Sequence, residues 1–236
     1  MQLFYHPTTP VTGATVTFSA EESKHIVRVL RKKVGDVLRA TDGQGHFFNI
    51  TLTLTEMRRC EGTIGDITAI PKKLHRLHIA VAPTKMNDRF EWFLEKATEL
   101  GVDEITPLLC ERSERKVIKA ERMQRVLASA MKQSLRAHLP KLTPLTPYHD
   151  FLEKNRNGMK FIAHCAEGKR NPLTQFLPPK EDVVFLIGPE GDFSNTEIQS
   201  ALDLEYVPVT LGNNRLRTET AAVMTCASFA LFETPS

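Results

Sequence analysis

Three apolar segments in the second half of the chain, KFIAHCAEG (Lys160–Gly168), VVFLIGPEG (Val183–Gly191) and YVPVTLGNN (Tyr206–Asn214), each stop at a turn containing Gly or Asn. Val183–Ile187 is short, rich in β-branched residues and unbroken by polar ones, which suits a parallel strand covered on both faces. A helix restarts at once, because Ser194 and Glu197 form the S-x-x-E of a capping box. Alternation of this kind means βα units and a parallel sheet. If the three strands share that sheet, the turns HCAEGK, IGPEGD and LGNNRLRTET emerge on one edge, where open α/β sheets place ligands. A plain strand–helix loop is the alternative reading of Gly188–Gly191 taken alone.

The preceding segments continue the alternation. LHIAVAP (Leu77–Pro83) and VDEITPLL (Val102–Leu109) read as strands, and Phe90, Phe93, Leu94, Ala97 and Leu100 between them fall at helical spacing, ending at Gly101 as a C-cap. Trp92 and Phe93 read as core. A helix is expected over Arg122–Ala137 with Met123, Val126, Leu127 and Ala130 inward, and a last one over Thr218–Phe232. The first seventy or so residues differ: Val16 and Phe18, Val34–Ala40, Phe47–Thr55 and Gly62–Ile70 read as strands, with DGQG (Asp42–Gly45) as a turn. One helix, capped by Ser19 with Glu22 three residues on, carries Lys24, His25, Arg28 and Arg31. This is a small barrel-like unit with a basic helix. The proline-containing stretch IPKKLHR (Ile70–Arg76) marks a boundary, so the expected domains are 1–72 and 73–236.

At 236 residues, 41% hydrophobic and 25% charged, the chain reads as an ordinary soluble globular protein. A net charge of +3 permits a nucleic-acid partner without establishing one. Basic residues cluster over Lys24–Lys33 and over Glu111–Arg125, the second mixed with acids that also fit a solvated helix face. Cys60, Cys110, Cys165 and Cys226 are scattered, which suits a reducing compartment and gives no zinc spacing. His75 and His78, read as lying on one strand, face opposite ways, so no metal is expected. No apolar run reaches the roughly 18 residues of a membrane span, and the cytoplasm is the default location. Neither G-x-G-x-x-G nor G-x-x-x-x-G-K-[ST] occurs, so a cofactor other than a dinucleotide or P-loop nucleotide is indicated.

LIGPEG, followed by FS and a Glu-capped helix, and then LG…LRTETA, resembles the signature of the bacterial ribosomal RNA uridine N3-methyltransferases, the RsmE family of the SPOUT class. KHIVRVLRKKVGD and DGQG are similar to that family's amino-terminal PUA-like domain; EKATELGV, Arg112–Ser113 and KQSLRAHLP (Lys132–Pro140) resemble its methyltransferase units. Two departures stand out. Asp192 occupies a position usually held by glycine, and Asn214 and Arg215 replace the arginine and aliphatic residue of LG-x-R-I-L-R. The resemblance implies an α/β fold: a small PUA-like β-barrel domain, then a SPOUT-type domain with a carboxyl-terminal trefoil knot, an exception to unknotted connection. It further implies S-adenosyl-L-methionine as cofactor, 16S ribosomal RNA or the small ribosomal subunit as partner, and a homodimer. A related enzyme acting on another RNA such as tRNA, and a non-catalytic ribosome-assembly protein, are the alternatives.

On that resemblance the cofactor site comprises Leu186, Ile187, Gly188, Pro189, Glu190 and Gly191, with Leu211, Gly212, Asn213, Leu216, Thr218 and Thr220. The glycines would admit close backbone contact with the adenine and ribose. Uracil N3 is a nucleophile only once its proton leaves, so a base or stabilising cations are needed. Arg217 could hold the negative O2 or O4 edge or a phosphate, or else pair with Glu219 or Glu190; Glu167 could orient the base or accept the proton, or be a surface carboxylate. Lys24, His25, Arg28 and Arg31 could track RNA phosphates, or form a solvated helix face.

Overall fold

The computed structural model describes residues 2–154 and 157–232. They group into two compact units, Met1–Lys72 with Met131–Leu139, and Lys73–Ala130 with Pro140–Ser236. In the first unit β1 (Leu3–Tyr5), β2 (Thr15–Thr17), β3 (Val37–Thr41), β4 (His46–Thr55) and β5 (Cys60–Ala69) form a sheet in the order β1-β3-β4-β5-β2. Along β4 the side chains of Phe48, Ile50 and Leu52 are buried while Asn49, Thr51 and Thr53 are exposed, the period-2 pattern of a sheet with one covered face. The buried set joins Phe4, Phe18, Ile26 and Leu38 in one core. Helix α1 (Ala20–Lys24) starts where Ser19 Oγ accepts from Glu22 N, and its chain widens into a π turn over His25–Val29 that seats Ile26 in the core. β3 begins at Val37, not Val34, because Lys33–Asp36 is a turn: Asp36 Oδ2 accepts from Lys33 N, and Gly35 takes φ +91°.

The second unit holds β6 (Leu77–Val81), α2 (Asn87–Glu99), β7 (Glu104–Leu109), α3 (Ala120–Gln133) as far as Ala130, β8 (Lys141–Leu142), β9 (Thr146–Pro147), α4 (Tyr148–Glu153), β10 (Met159–Ala163), β11 (Asn171–Pro172), β12 (Val183–Ile187), α5 (Asn195–Asp203), β13 (Val207–Thr210) and α6 (Thr218–Ala230). The sheet order is β11-β13-β10-β12-β6-β7-β8, with β9 also on β7, and the pairings are parallel. β12 lies near the middle and is buried at every position, as its unbroken apolar run requires. Leu186, Ile162, Phe151, Phe193 and Ile198 anchor the core on one face. Gly101, at φ +85°, stops α2 with its N–H on Thr98 O. Phe93 is fully buried, but Trp92 is 43% exposed and is not core. His75 precedes β6 rather than lying on it. His78 is on the strand, with Nε2 2.8 Å from Thr106 Oγ1.

Two helices stop short of expectation. α6 ends at Ala230, leaving Leu231 and Phe232 exposed. α3 ends at Gln133: Leu135 takes φ +56°, and the next residues bind the DGQG turn instead of continuing the helix. Gly45 N donates to Ala137 O, Leu139 N to Gly43 O and Thr41 Oγ1 to Ala137 O. A Cβ on Gly45 would stand 2.5 Å from His138 Cε1, so that turn closes only with glycine there.

Candidate active site

Parallel registry brings the three turns to one edge. Ala163 is level with Ile187 on one side and with Val209 on the other, so His164, Gly188 and the Thr210–Gly212 bend follow adjacent strand ends. β6 connects onward to β7 on one side, and β12 connects to β13 on the other. Diverging connections of this kind open a crevice at the carboxyl edge. Across it, Ala82 N donates to Ile187 O and Lys85 N to Glu190 Oε1 at 2.9 Å.

The glycine turn is pinned from several elements. Thr218 Oγ1, at the start of α6, donates to Gly188 O at 3.0 Å. Arg112 Nη1 donates to Gly191 O at 3.0 Å, and Arg115 reaches the carbonyls of Thr84 and Lys85 in the facing loop. Asp192 takes φ +63°, a conformation that glycine adopts readily, and it adds what glycine cannot: Oδ2 accepts from Cys165 N at 2.8 Å, tying the β10 turn to the β12 turn. Gly188 has a reason of its own. A Cβ there would lie 3.1 Å from Phe193 N and from its ring, so the smallness faces the protein. Gly212, in contrast, takes φ +141° with nothing within 4 Å of its Cβ direction.

Burial shapes the chemistry of this edge. His164 is buried and its pKa is lowered, chiefly by that burial, with Asp192 opposing and Arg170 assisting. Its Nδ1 has no hydrogen-bond partner among the described residues, and neither has Glu219 Oε2 in the first turn of α6. Glu219 Oε1 sits 3.8 Å from Arg89 Nε, and Glu190 Oε1 accepts from Lys85 N. Arg217 stands exposed at the N-cap of α6.

The arrangement has relatives. An RNA methyltransferase domain model matches residues 71–230 and an RNA methyltransferase PUA domain model matches 18–62. The solved structure of a probable rRNA-methyltransferase from Porphyromonas gingivalis is 39% identical with a TM-score of 0.91, covering 99% of this chain and 98% of that one. The ribosomal RNA small subunit methyltransferase E from Neisseria gonorrhoeae, solved bound to S-adenosyl methionine, is 30% identical with a TM-score of 0.87 over 98% of this chain and 97% of its own. That of Synechocystis sp. is 30% identical over 94% of this chain and 75% of its length. The chain belongs to the ribosomal RNA small subunit methyltransferase E family.

Within this family member the sequence-derived residues divide by position. Leu186, Ile187, Gly188 and Pro189 are buried at the crevice floor, Thr218 is bound to them, and Glu190 and Gly191 are exposed at its rim. Leu211 and Leu216 are half-buried; Gly212, Asn213 and Thr220 are exposed. Glu167 and Arg217 are exposed. In the first unit Lys24, Arg28 and Arg31 are exposed, while His25 Nε2 lies 2.6 Å from Gln2 Nε2. Sequence reasoning missed Arg115, His164 and the bridging role of Asp192; the departure at Asp192 was the one available signal. Among the described residues no three His, Cys, Asp or Glu side chains gather as metal ligands would, and no helix is long and apolar enough to cross a membrane.

Proposed function

We propose that this protein methylates N3 of a uridine in 16S ribosomal RNA, with S-adenosyl-L-methionine as methyl donor. The observation that carries the reading is the convergence of the His164, Gly188–Gly191 and Gly212 turns at one crevice in a chain of this family. The residues fit the cofactor: the main chain at Gly212 is bare where a Cβ would cover it, and the two unpartnered buried atoms, His164 Nδ1 and Glu219 Oε2, lie on elements bordering this edge. When bound, the cofactor supplies an electrophilic methyl group on a sulfonium. Gly188–Gly191 and Leu211–Asn213 hold it through main-chain contacts, with Leu186, Ile187, Leu216, Thr218 and Thr220 completing the site. Arg217 holds the negative O2 or O4 edge as uracil loses its N3 proton, and Glu167 accepts that proton. The carboxyl-terminal trefoil knot belongs to the same reading, with α6 returning from β13 to pack against β6 and β12.

Three finer points complete it. Lys24, His25, Arg28 and Arg31 of the first unit bind RNA phosphates. Trp92, Met224, Leu231 and Phe232, exposed on and beside α2 and α6, form the face of a homodimer, so a sedimentation run showing only monomer at micromolar concentration rejects that part. Cys60, Cys110 and Cys226 are buried cysteines outside any disulfide, which suits the cytoplasm. The deciding experiment is mass-spectrometric mapping of ribosomal RNA from cells with and without the protein. One methylated uridine should disappear from the small-subunit RNA; an unchanged profile sinks the proposal.

A further inference from the structure

The outer face of the first unit's sheet carries a feature that phosphate tracking by the early helix does not use. Arg39 on β3, and Phe47 and Asn49 on β4, point away from the core, because Leu38, Ala40, Phe48 and Ile50 alternate with them and are buried. The Arg39 guanidinium lies 4.3 Å from the Phe47 ring centroid. Register sets Arg39 opposite Asn49 and Phe47 opposite Thr68. Phe48 pairs with Ile67 and Ile50 with Ile64, so Gly65 and Asp66 together oppose the single Asn49. Such a bulge re-aims side chains. Gly65 contributes none, and a Cβ there would meet nothing nearer than Asn49 O at 3.8 Å. The result is a shallow depression lined by Arg39, Phe47, Phe48, Asn49, Asp66 and Thr68.

We propose that this depression binds one unpaired nucleobase of RNA, stacked on the Arg39–Phe47 pair with its edge toward Asn49, Asp66 and Thr68. A flat cation laid on an aromatic ring is a platform of the kind on which single-stranded bases stack. The surrounding groups have the right chemistry for a base edge: Asn49 and Thr68 both donate and accept, and Asp66 accepts. That carboxylate repels a phosphate, so the lining selects base over backbone. A protein partner would call for an apolar centre that this polar lining lacks. The inference rests on the RNA-directed reading above and adds to it a base-contacting site in the first unit.

Fluorescence anisotropy on the full chain tests it, using a short single-stranded RNA, the same RNA as a fully paired duplex, and an abasic version. Phe47→Leu, which keeps an apolar side chain but loses the ring, should weaken single-strand binding about 5- to 100-fold. Its salt slope should stay that of the unsubstituted protein, and duplex and abasic binding should not change. Asn49→Ala, at an exposed position that folding does not need, should weaken the single strand in the same selective way. Single-strand affinity equal to that of the unsubstituted protein in both variants overturns the proposal, as does an equal loss on duplex and abasic RNA. If Phe47→Leu unfolds, Asn49→Ala alone decides. Selective loss in a protein that methylates no uridine would leave this site standing and sink the catalytic reading.

Discussion

Single residues at the crevice edge separate two uses of glycine. Gly188 is small because Phe193 occupies the space of its missing Cβ, whereas Gly212 is needed for a backbone conformation over open space. Gly188→Ala should therefore destabilise the fold by roughly 1–3 kcal/mol, as overpacking does, and calorimetric melting should record the lower Tm. Gly212→Ala meets no atom. An exposed loop relieves its strain by rearranging, so Tm should hold while S-adenosylmethionine affinity falls about tenfold or more. Asp42, in the DGQG turn, yields a pH prediction. Burial pushes its pKa up, but the N–H groups of Gln44 and His46 and the His46 ring outweigh this and leave it lowered. A lowered carboxyl pKa stabilises the fold fully above its unfolded value near 3.8, and the gain is lost as pH falls through the folded value. Asp42→Asn should cost roughly 1–3 kcal/mol at pH 7. In urea melts the gap between the two proteins should narrow toward pH 3; a constant gap refutes the assignment.

At the scale of elements, α5 shows how a local signal acquires a long-range task. Ser194 and Glu197 form the capping box legible in S-x-x-E, with Ser194 N on Glu197 Oε2 and Glu197 N on Ser194 Oγ. Glu197 Oε1 also accepts from Glu111 N after β7, and its carbonyl accepts from Tyr148 on α4 at 2.7 Å. One buried carboxylate thus joins α5 to the segment that holds Arg112. Glu197→Ala should cost about 2–4 kcal/mol, since it strands the buried Ser194 N–H and the part-buried Glu111 N–H; Tyr148→Phe should cost about 1 kcal/mol. Denaturant titration of both variants checks the ranking. The box could be read because its partners are three residues apart; the Glu111 bond could not, because it spans 86 residues. The same distinction covers other misses. β1, β8, β9 and β11 are two or three residues long and show no period, and the end of α3 is set by Ala137–Leu139 binding the turn after β3. Strand ends that carry the glycine turns were legible, since each is a local run closed by turn residues. The pins on them, Arg112, Arg115, Thr218 and Asp192, act across the fold.

Across the whole molecule, the early basic helix and the glycine turns of the crevice fall in different compact units. Lys24, Arg28 and Arg31 lie in the first, and the crevice lies wholly within the second. His25 Nε2 lies 2.6 Å from Gln2 Nε2, so the test is made on the three exposed Lys and Arg side chains of the proposed set. If each neutralises one phosphate, replacing all three by Ala should lower the slope of log affinity against log salt by roughly 2–3, at about 0.7–0.9 per contact. Lost cations act on that slope, whereas a lost stacking surface leaves it unchanged. Cofactor affinity should be the same as in the unsubstituted protein. Arg217→Ala in the second unit should do the reverse: RNA slope and cofactor affinity hold, while kcat falls on the order of 100-fold, as for a removed charge-stabilising donor. Filter binding across a salt series, cofactor calorimetry and single-turnover methylation on both variants distinguish the two. Should the triple variant keep the unsubstituted salt slope, the early helix is a solvated face, and the cations that meet RNA lie elsewhere. The exposed Lys116, Lys119 and Arg125 ahead of and within α3 are then the next set to replace.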